Sequence, residues 1–214
     1  MPLAVDRYEL GPTRTNCYIV RADRGGAEAV VIDPGYDAAT LRLELARMGA
    51  RCAGILITHG HYDHVGAVAD LAEGTGARVS MARAELVALE RPGDFFPGVN
   101  IRSYTPEVLL EGGETFELAG IPFEVALVPG HSPAHLAYYA DTCLFSGDVL
   151  FEGSVGRTDL PFGDWEALLE SIRSLIDGYP AETVVYPGHG PPTTLGVERQ
   201  SNPFLVGAAR LVAR

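Results

Sequence analysis

A chain of 214 residues, 47% of them hydrophobic and 21% charged, is long enough to bury a substantial core, and it reads as one domain over residues 1–214. The formal net charge is -12 and all 16 basic residues are Arg, scattered along the chain, so neither nucleic acid nor an anionic membrane is an expected partner. No window approaches the roughly 18 consecutive apolar residues of a membrane span, and Met1-Pro2-Leu3-Ala4-Val5-Asp6-Arg7 lacks the basic-then-apolar order of an export signal, which points to the cytoplasm.

Residues 3–10 and 15–22 read as strands joined by Gly11-Pro12-Thr13, and 27–32 as a third, closed by Asp33-Pro34-Gly35. Helical spacing of Ala38, Leu41, Leu45 and Met48 predicts a helix over 37–48 with Gly49 as its stop. The short apolar run 53–57 reads as a buried strand, and 65–72 as a helix. A strand at 78–81 and a helix at 82–90 follow, then a loop at 91–98 whose Phe95 and Phe96 either line a pocket or anchor the loop to the core. Strands are expected at 107–110, 115–118 and 121–128, then a hairpin of 136–140 and 143–146 turning at Asp141-Thr142. The clearest helix spans 164–177, with Trp165, Leu168, Leu169, Ile172, Leu175 and Ile176 on one stripe, and a short strand at 183–186 comes last. Cys17, Cys52 and Cys143 are odd in number and far apart, so they read as buried core residues rather than as disulfides or a zinc site.

Chemistry concentrates at the C-terminal ends of four predicted strands: Thr58-His59-Gly60-His61-Tyr62-Asp63-His64, then His131, Asp148 and His189. All six histidines lie at such an end or within four residues of one. In an extended turn His59 and His61 project to the same side and can share an ion, whereas Asp63 and His64, in the first turn of a helix, can face a second ion beside it. Imidazole and carboxylate donors suit Zn, Fe or Mn. Asp148 can bridge two ions at the roughly 3.5–4 Å spacing of two-metal hydrolases. His135 is expected to back the ligands rather than join them, since three imidazoles suffice for one ion.

Together, His59-Gly60-His61-Tyr62-Asp63-His64, Pro129-Gly130-His131, Phe145-Ser146-Gly147-Asp148 and Pro187-Gly188-His189-Gly190 resemble the metallo-β-lactamase-fold hydrolase superfamily. The resemblance implies an α/β fold of αββα type, two mixed sheets flanked by helices. Ser154-Val155-Gly156-Arg157-Thr158-Asp159-Leu160-Pro161, with Gly196-Val197-Glu198-Arg199 before Asn202-Pro203-Phe204-Leu205, resembles the short type II glyoxalases, hydroxyacylglutathione hydrolases without an added domain. That branch implies one ion on His59, His61 and His131, a second on Asp63, His64 and His189, and Asp148 between them. It further implies two divalent ions, zinc foremost with iron or manganese as alternatives. The substrate is then a small-molecule thioester of the S-lactoylglutathione type, attacked by water activated between the ions, with Asp63 as a candidate proton acceptor.

Three departures bear on substrate. The chain ends too soon after His189 to carry the C-terminal helical domain that holds glutathione in longer type II glyoxalases. Arg157-Thr158-Asp159 stands where those enzymes have Lys-Phe-Tyr, and Pro191 where they have Tyr. The thiol carrier is therefore open, and Arg157 either pairs with a substrate carboxylate or ties its own loop down. Persulfide dioxygenases of the same fold are the alternative, with one iron on His59, His131 and Asp148; they share the Gly-Arg-Thr-Asp sequence but usually lack a His at position 135. A β-lactamase is disfavoured by Asp148, where zinc β-lactamases commonly carry Cys, and by the missing export signal. An RNA-processing nuclease is disfavoured by the acidic balance.

Overall fold

The computed structural model of the protein describes residues 2–206. β2 (Thr15–Arg21) runs antiparallel to both its neighbours, β1 (Ala4–Leu10) and β3 (Glu28–Ile32). After helix α1 (Ala38–Met48), β4 (Arg51–Leu56) joins parallel to β3. Helices α2 (Tyr62–Val65) and α3 (Val68–Thr75) lead to β5 (Arg78–Ala82), again parallel. A 3-10 turn at Arg83–Glu85, α4 (Leu86–Glu90) and α5 (Pro92–Phe95) precede β6 (Val108–Leu110), which closes a six-stranded sheet in the order β1 to β6. Four parallel neighbours, β3, β4, β5 and β6, therefore open their C-terminal ends on one edge.

The second sheet also has six strands. β7 (Thr115–Leu118), β8 (Ile121–Leu127), β9 (Leu136–Ala140) and β10 (Cys143–Gly147) are antiparallel neighbours. A small ribbon of β11 (Leu150–Phe151) and β12 (Ser154–Val155) and helix α6 (Trp165–Gly178) come before β13 (Val184–Pro187), which runs parallel to β10. Edge strand β14 (Thr193–Thr194) and helix α7 (Leu195–Ser201) complete it.

Period-two alternation decides which side chains go where. On β3, Val30 and Ile32 meet Phe123, Val125, Tyr138 and Phe145 of the second sheet, while Ala29 and Val31 pack outward under α1 and α3. Leu168, Ile172 and Leu175 of α6 cover the outer face of the second sheet over Leu144 and Val185. The result is helix, sheet, sheet, helix. Each fully buried Leu or Ile in the three hydrophobic clusters between these layers contributes about 1.5–3 kcal/mol by leaving water. All three cysteines are buried in these layers, and burial pushes their thiols up, which keeps them protonated and inert.

Local chemistry sets the boundaries. The Asp37 side chain accepts the Thr40 N–H to start α1, and Gly49, at φ 65°, ends it. Asp141 and Thr142, both at positive φ, make the two-residue β9–β10 turn, as right-handed strand twist requires. Residues 82–90 depart from the expected single helix: Ala82 still pairs with Leu110 in the sheet, and the chain turns through Arg83–Glu85 before α4 begins. The expected loop at 91–98 contains the one-turn α5, started by Pro92. There Phe96 packs edge-on against Tyr62 at 5.8 Å, while Phe95 is exposed, so only one of the two aromatics anchors the segment. Trp165 leaves the buried stripe of α6 and lies against Phe204 near the surface. β11, β12, β14 and α7 are too short or too polar to register as periodic patterns. No helix of the described residues is long and apolar enough to cross a membrane.

Candidate metal centre

The loop after β4 leaves the first sheet as extended backbone through His59 to His61 and turns helical at Tyr62, so Asp63 and His64 sit in the first turn of α2. Their neighbours come from the second sheet: His131 after β8, Asp148 immediately after β10, and His189 after β13. Three overlapping groups of side chains converge with donor atoms within 4.8 Å of one another: His59, His61 and His131; His59, His64 and Asp148; and Asp63, His64 and His189. All seven expected ligands thus lie in one cluster. His61 and His189 are only partly buried and form its open side, whereas the other five are buried.

Three of the imidazoles, His131, His59 and His64, are held from behind. His131 Nδ1–H donates to the Arg157 carbonyl at 2.8 Å, which leaves Nε2 facing inward. Thr58 Oγ1 donates to Asp33 Oδ2 at 2.7 Å and accepts from His59 Nδ1 at 3.0 Å, so His59 Nε2 also faces inward. That nitrogen and His131 Nε2 lie 3.0 and 2.8 Å from His61 Nδ1. One N–H on His61 can satisfy only one of the two, and the remaining lone pairs suit a shared cation better than one another. The second pole has the same character. His64 Nδ1 bonds Asp33 Oδ2 at 2.9 Å, while His64 Nε2 and Asp148 Oδ1 are buried without a hydrogen-bond partner and lie 3.4 Å apart. His189 Nε2 stands 3.3 Å from Asp63 Oδ2 and 3.4 Å from Asp148 Oδ2. Glycine makes the space: a Cβ at Gly35 would fall 1.6 Å from the Asp63 carbonyl oxygen, and one at Gly156 would fall 1.8 Å from that of Asp148.

Electrostatics divide the cluster into two halves. Burial, reinforced by neighbouring imidazoles, holds His59 well below its ordinary range and His61 down at about 4, so both are neutral at neutral pH. Burial also opposes charge on His189 and His64, but there carboxylates win: Asp148 and Asp63 lift His189 to about 9, and Asp148 with Asp33 raises His64 well above its usual value. Burial pushes Asp63 up, yet His189 and His64 pull it down to about 2.

Two of the expected residues sit elsewhere. His135 is fully buried, stacks on His59 at 4.6 Å, and accepts the Asp148 backbone N–H on Nε2 at 3.1 Å; it stands behind the cluster. The Arg157 guanidinium is exposed and grips Asp159 through two bonds of 2.7 and 2.8 Å, so that side chain ties its own loop while its carbonyl steadies His131. Sequence reading passes over Asp33, whose buried carboxylate accepts the Thr58 N–H and hydroxyl and meets His64. The signal for it is present: Asp33 ends β3, parallel to β4, on the same sheet edge as His59. Thr15, which donates to Asp63 Oδ2 at 2.8 Å, carries no comparable signal.

Comparison with known proteins places this arrangement. The profile of the metallo-beta-lactamase superfamily matches residues 10–189. Hydroxyacylglutathione hydrolase GloC of Haemophilus influenzae is 35% identical over 197 residues, covering 89% of this chain and 92% of that protein. Among solved structures, BLEG-1 B3 metallo-beta-lactamase superposes with a TM-score of 0.89 at 39% identity, over 95% of this chain and 100% of that one. TTHA1623 in a di-iron-bound form superposes at 0.82 with 42% identity, over 94% and 100%. ETHE1 from Myxococcus xanthus follows at 0.79 with 26% identity, over 95% and 85%. The chain, a metallo-hydrolase with histidine and aspartate groups able to hold metal, belongs to the metallo-beta-lactamase superfamily.

Proposed function

We propose that the protein is a binuclear metal-dependent hydrolase that cleaves a small-molecule thioester of the S-lactoylglutathione type, as a single-domain cytoplasmic enzyme. The observation that carries this reading is the pairing of a three-histidine group with an Asp63–His64–His189 group, Asp148 lying between them. His59, His61 and His131 would hold one ion, Asp63, His64 and His189 the other, and Asp148 would touch both. Two divalent ions held there, zinc foremost, supply the Lewis acidity that ionises water near neutral pH and polarises a carbonyl. Asp63, ionised at neutral pH and steadied by Thr15, would accept the hydrogen bond of the attacking water. A thiol of pKa about 8.5 departs as thiolate with little proton assistance, so the cleft needs no separate acid. The name of the H. influenzae relative supports the thioester, and the di-iron TTHA1623 supports a two-ion site.

A second reading, one iron on His59, His131 and Asp148, draws on His131 Nε2 lying 3.5 Å from Asp148 Oδ2. It gives no role to the partnerless His64 Nε2. One preparation with its metals counted separates the readings, assayed for hydrolysis of lactoylglutathione, oxygen uptake with glutathione persulfide, and cleavage of a β-lactam. Thioester cleavage with two ions per chain is expected. Oxygen uptake with one iron and no thioester cleavage ends the proposal, as does β-lactam cleavage alone, the outcome that the name of BLEG-1 suggests.

Protons and metal compete for the second group. His189 must lose its proton to bind, so affinity there should fall about tenfold for each pH unit below 9 per proton displaced, whereas His59 and His61 are already neutral. In an imidazole-resolved NMR titration of chelator-treated protein, His189 should titrate near 9 and His61 near 4.

A further inference from the structure

Beneath the three-histidine group lies a carboxylate that none of its ligands explains. Glu85 ends the 3-10 turn after β5 and is buried, although among the described residues no cation pairs with it. Its two oxygens are instead consumed by three donors from two loops. Oε2 accepts the Gly60 N–H at 2.5 Å; Oε1 accepts the Ser132 hydroxyl at 2.5 Å and the Ala134 N–H at 3.0 Å. Gly60 separates His59 from His61, and Ser132 directly follows His131. The contact is close because residue 60 is glycine: a Cβ there would stand 2.7 Å from the Ala88 Cβ and 3.2 Å from Glu85 Oε2.

One buried group therefore ties together the two loops that carry all three members of the three-histidine group. These loops are far apart in sequence and belong to different sheets. Asp33, by contrast, touches both groups, His59 through Thr58 and His64 directly. We propose that Glu85 is a positioning residue that fixes the first metal site, His59, His61 and His131, separately from the second.

This rests on the reading of the cluster as a metal centre. A buried carboxylate that accepts three hydrogen bonds also fixes what can replace it. Glutamine has the same shape, but its amide NH2 must face either the Gly60 N–H or the Ser132 and Ala134 donors, so no orientation accepts all three. Aspartate is one methylene short. Ser132→Ala removes a single bond and leaves the carboxylate and both backbone donors in place.

The test is zinc titration of the chelator-treated chain, followed on histidine ring resonances, with Glu85→Gln and Ser132→Ala beside the wild type and circular dichroism as the control for folding. Glu85→Gln should weaken zinc at His59, His61 and His131 by about 10–100-fold and leave the response of His64 and His189 within about twofold. Ser132→Ala should weaken the same three resonances by less. Equal weakening of both groups, or none at either, overturns the assignment. Should Glu85→Gln fail to fold, Ser132→Ala alone decides, by whether its effect is confined to the three-histidine set. A wild type that takes up one ion refutes the binuclear reading instead; Glu85 is then judged by whether that ion, seen on His59, His61 and His131, weakens in the variants.

Discussion

Replacing His64 by alanine should empty the second group of its ion and lower thioester hydrolysis by about 100-fold or more, while zinc remains on His59, His61 and His131. The magnitude follows from position. Loss of a residue that merely supports a ligand costs about 10–100-fold in metal affinity or activity, and His64 is itself the buried hinge of the pole, with Nδ1 on Asp33 and Nε2 facing Asp148. Its removal also takes the imidazole from between two carboxylates, Asp33, which keeps the Thr58 hydroxyl, and Asp148. Metal analysis and hydrolysis rates on the same preparation check this. A variant that keeps two ions, or full hydrolysis, overturns the division of ligands; a mononuclear iron enzyme would keep its iron and its rate.

A single methyl group at residue 188 is expected to do comparable damage without removing any ligand. A Cβ on Gly188 would stand 2.1 Å from Asp148 Oδ1 and 2.7 Å from the His64 ring. Neither neighbour can retreat easily, since His64 is fully buried and the Asp148 backbone N–H is held by His135. Gly188→Ala should therefore fold, with a near-native circular dichroism spectrum, yet lose metal and about 100-fold or more of activity. Gly190→Ala is the comparison, because a Cβ there meets nothing within 4 Å, although its φ of +78° makes the change cost some stability. Equal metal content in Gly188→Ala and the wild type refutes the expectation.

The layers of the fold are legible in the sequence because their signals are strong and local. Leu41 and Leu45, or Leu168, Ile172 and Leu175, repeat at helical period, and Val30 and Ile32 alternate with Ala29 and Val31. The candidate ligands are legible because histidine is scarce here and falls only at strand ends. Less visible are the groups whose chemistry is ordinary until the sheet is folded. Asp33 reads as part of an Asp-Pro-Gly turn and Glu85 lies unremarked within the helix expected over 82–90; only the parallel alignment of β3, β4 and β5 brings both to the edge that carries His59. Of the two readings the sequence leaves open for Arg157, the structure shows its guanidinium tying its own loop through Asp159. A charged side chain beside a cleft suggests substrate, whereas its carbonyl, which no residue type announces, is the part that touches His131.

Each of the three donor groups takes two members from the loop after β4 and one from the second sheet. Neither sheet alone, then, can offer an ion three donors. During synthesis the amino-terminal half emerges first with His59 to His64 in place, but the three-histidine group has to wait for His131 after β8, and the second group for β13 to deliver His189. Metal capture would thus follow the meeting of the two sheets, and an ion once caught would cross-link the two halves, holding shut an interface that apolar packing alone had closed.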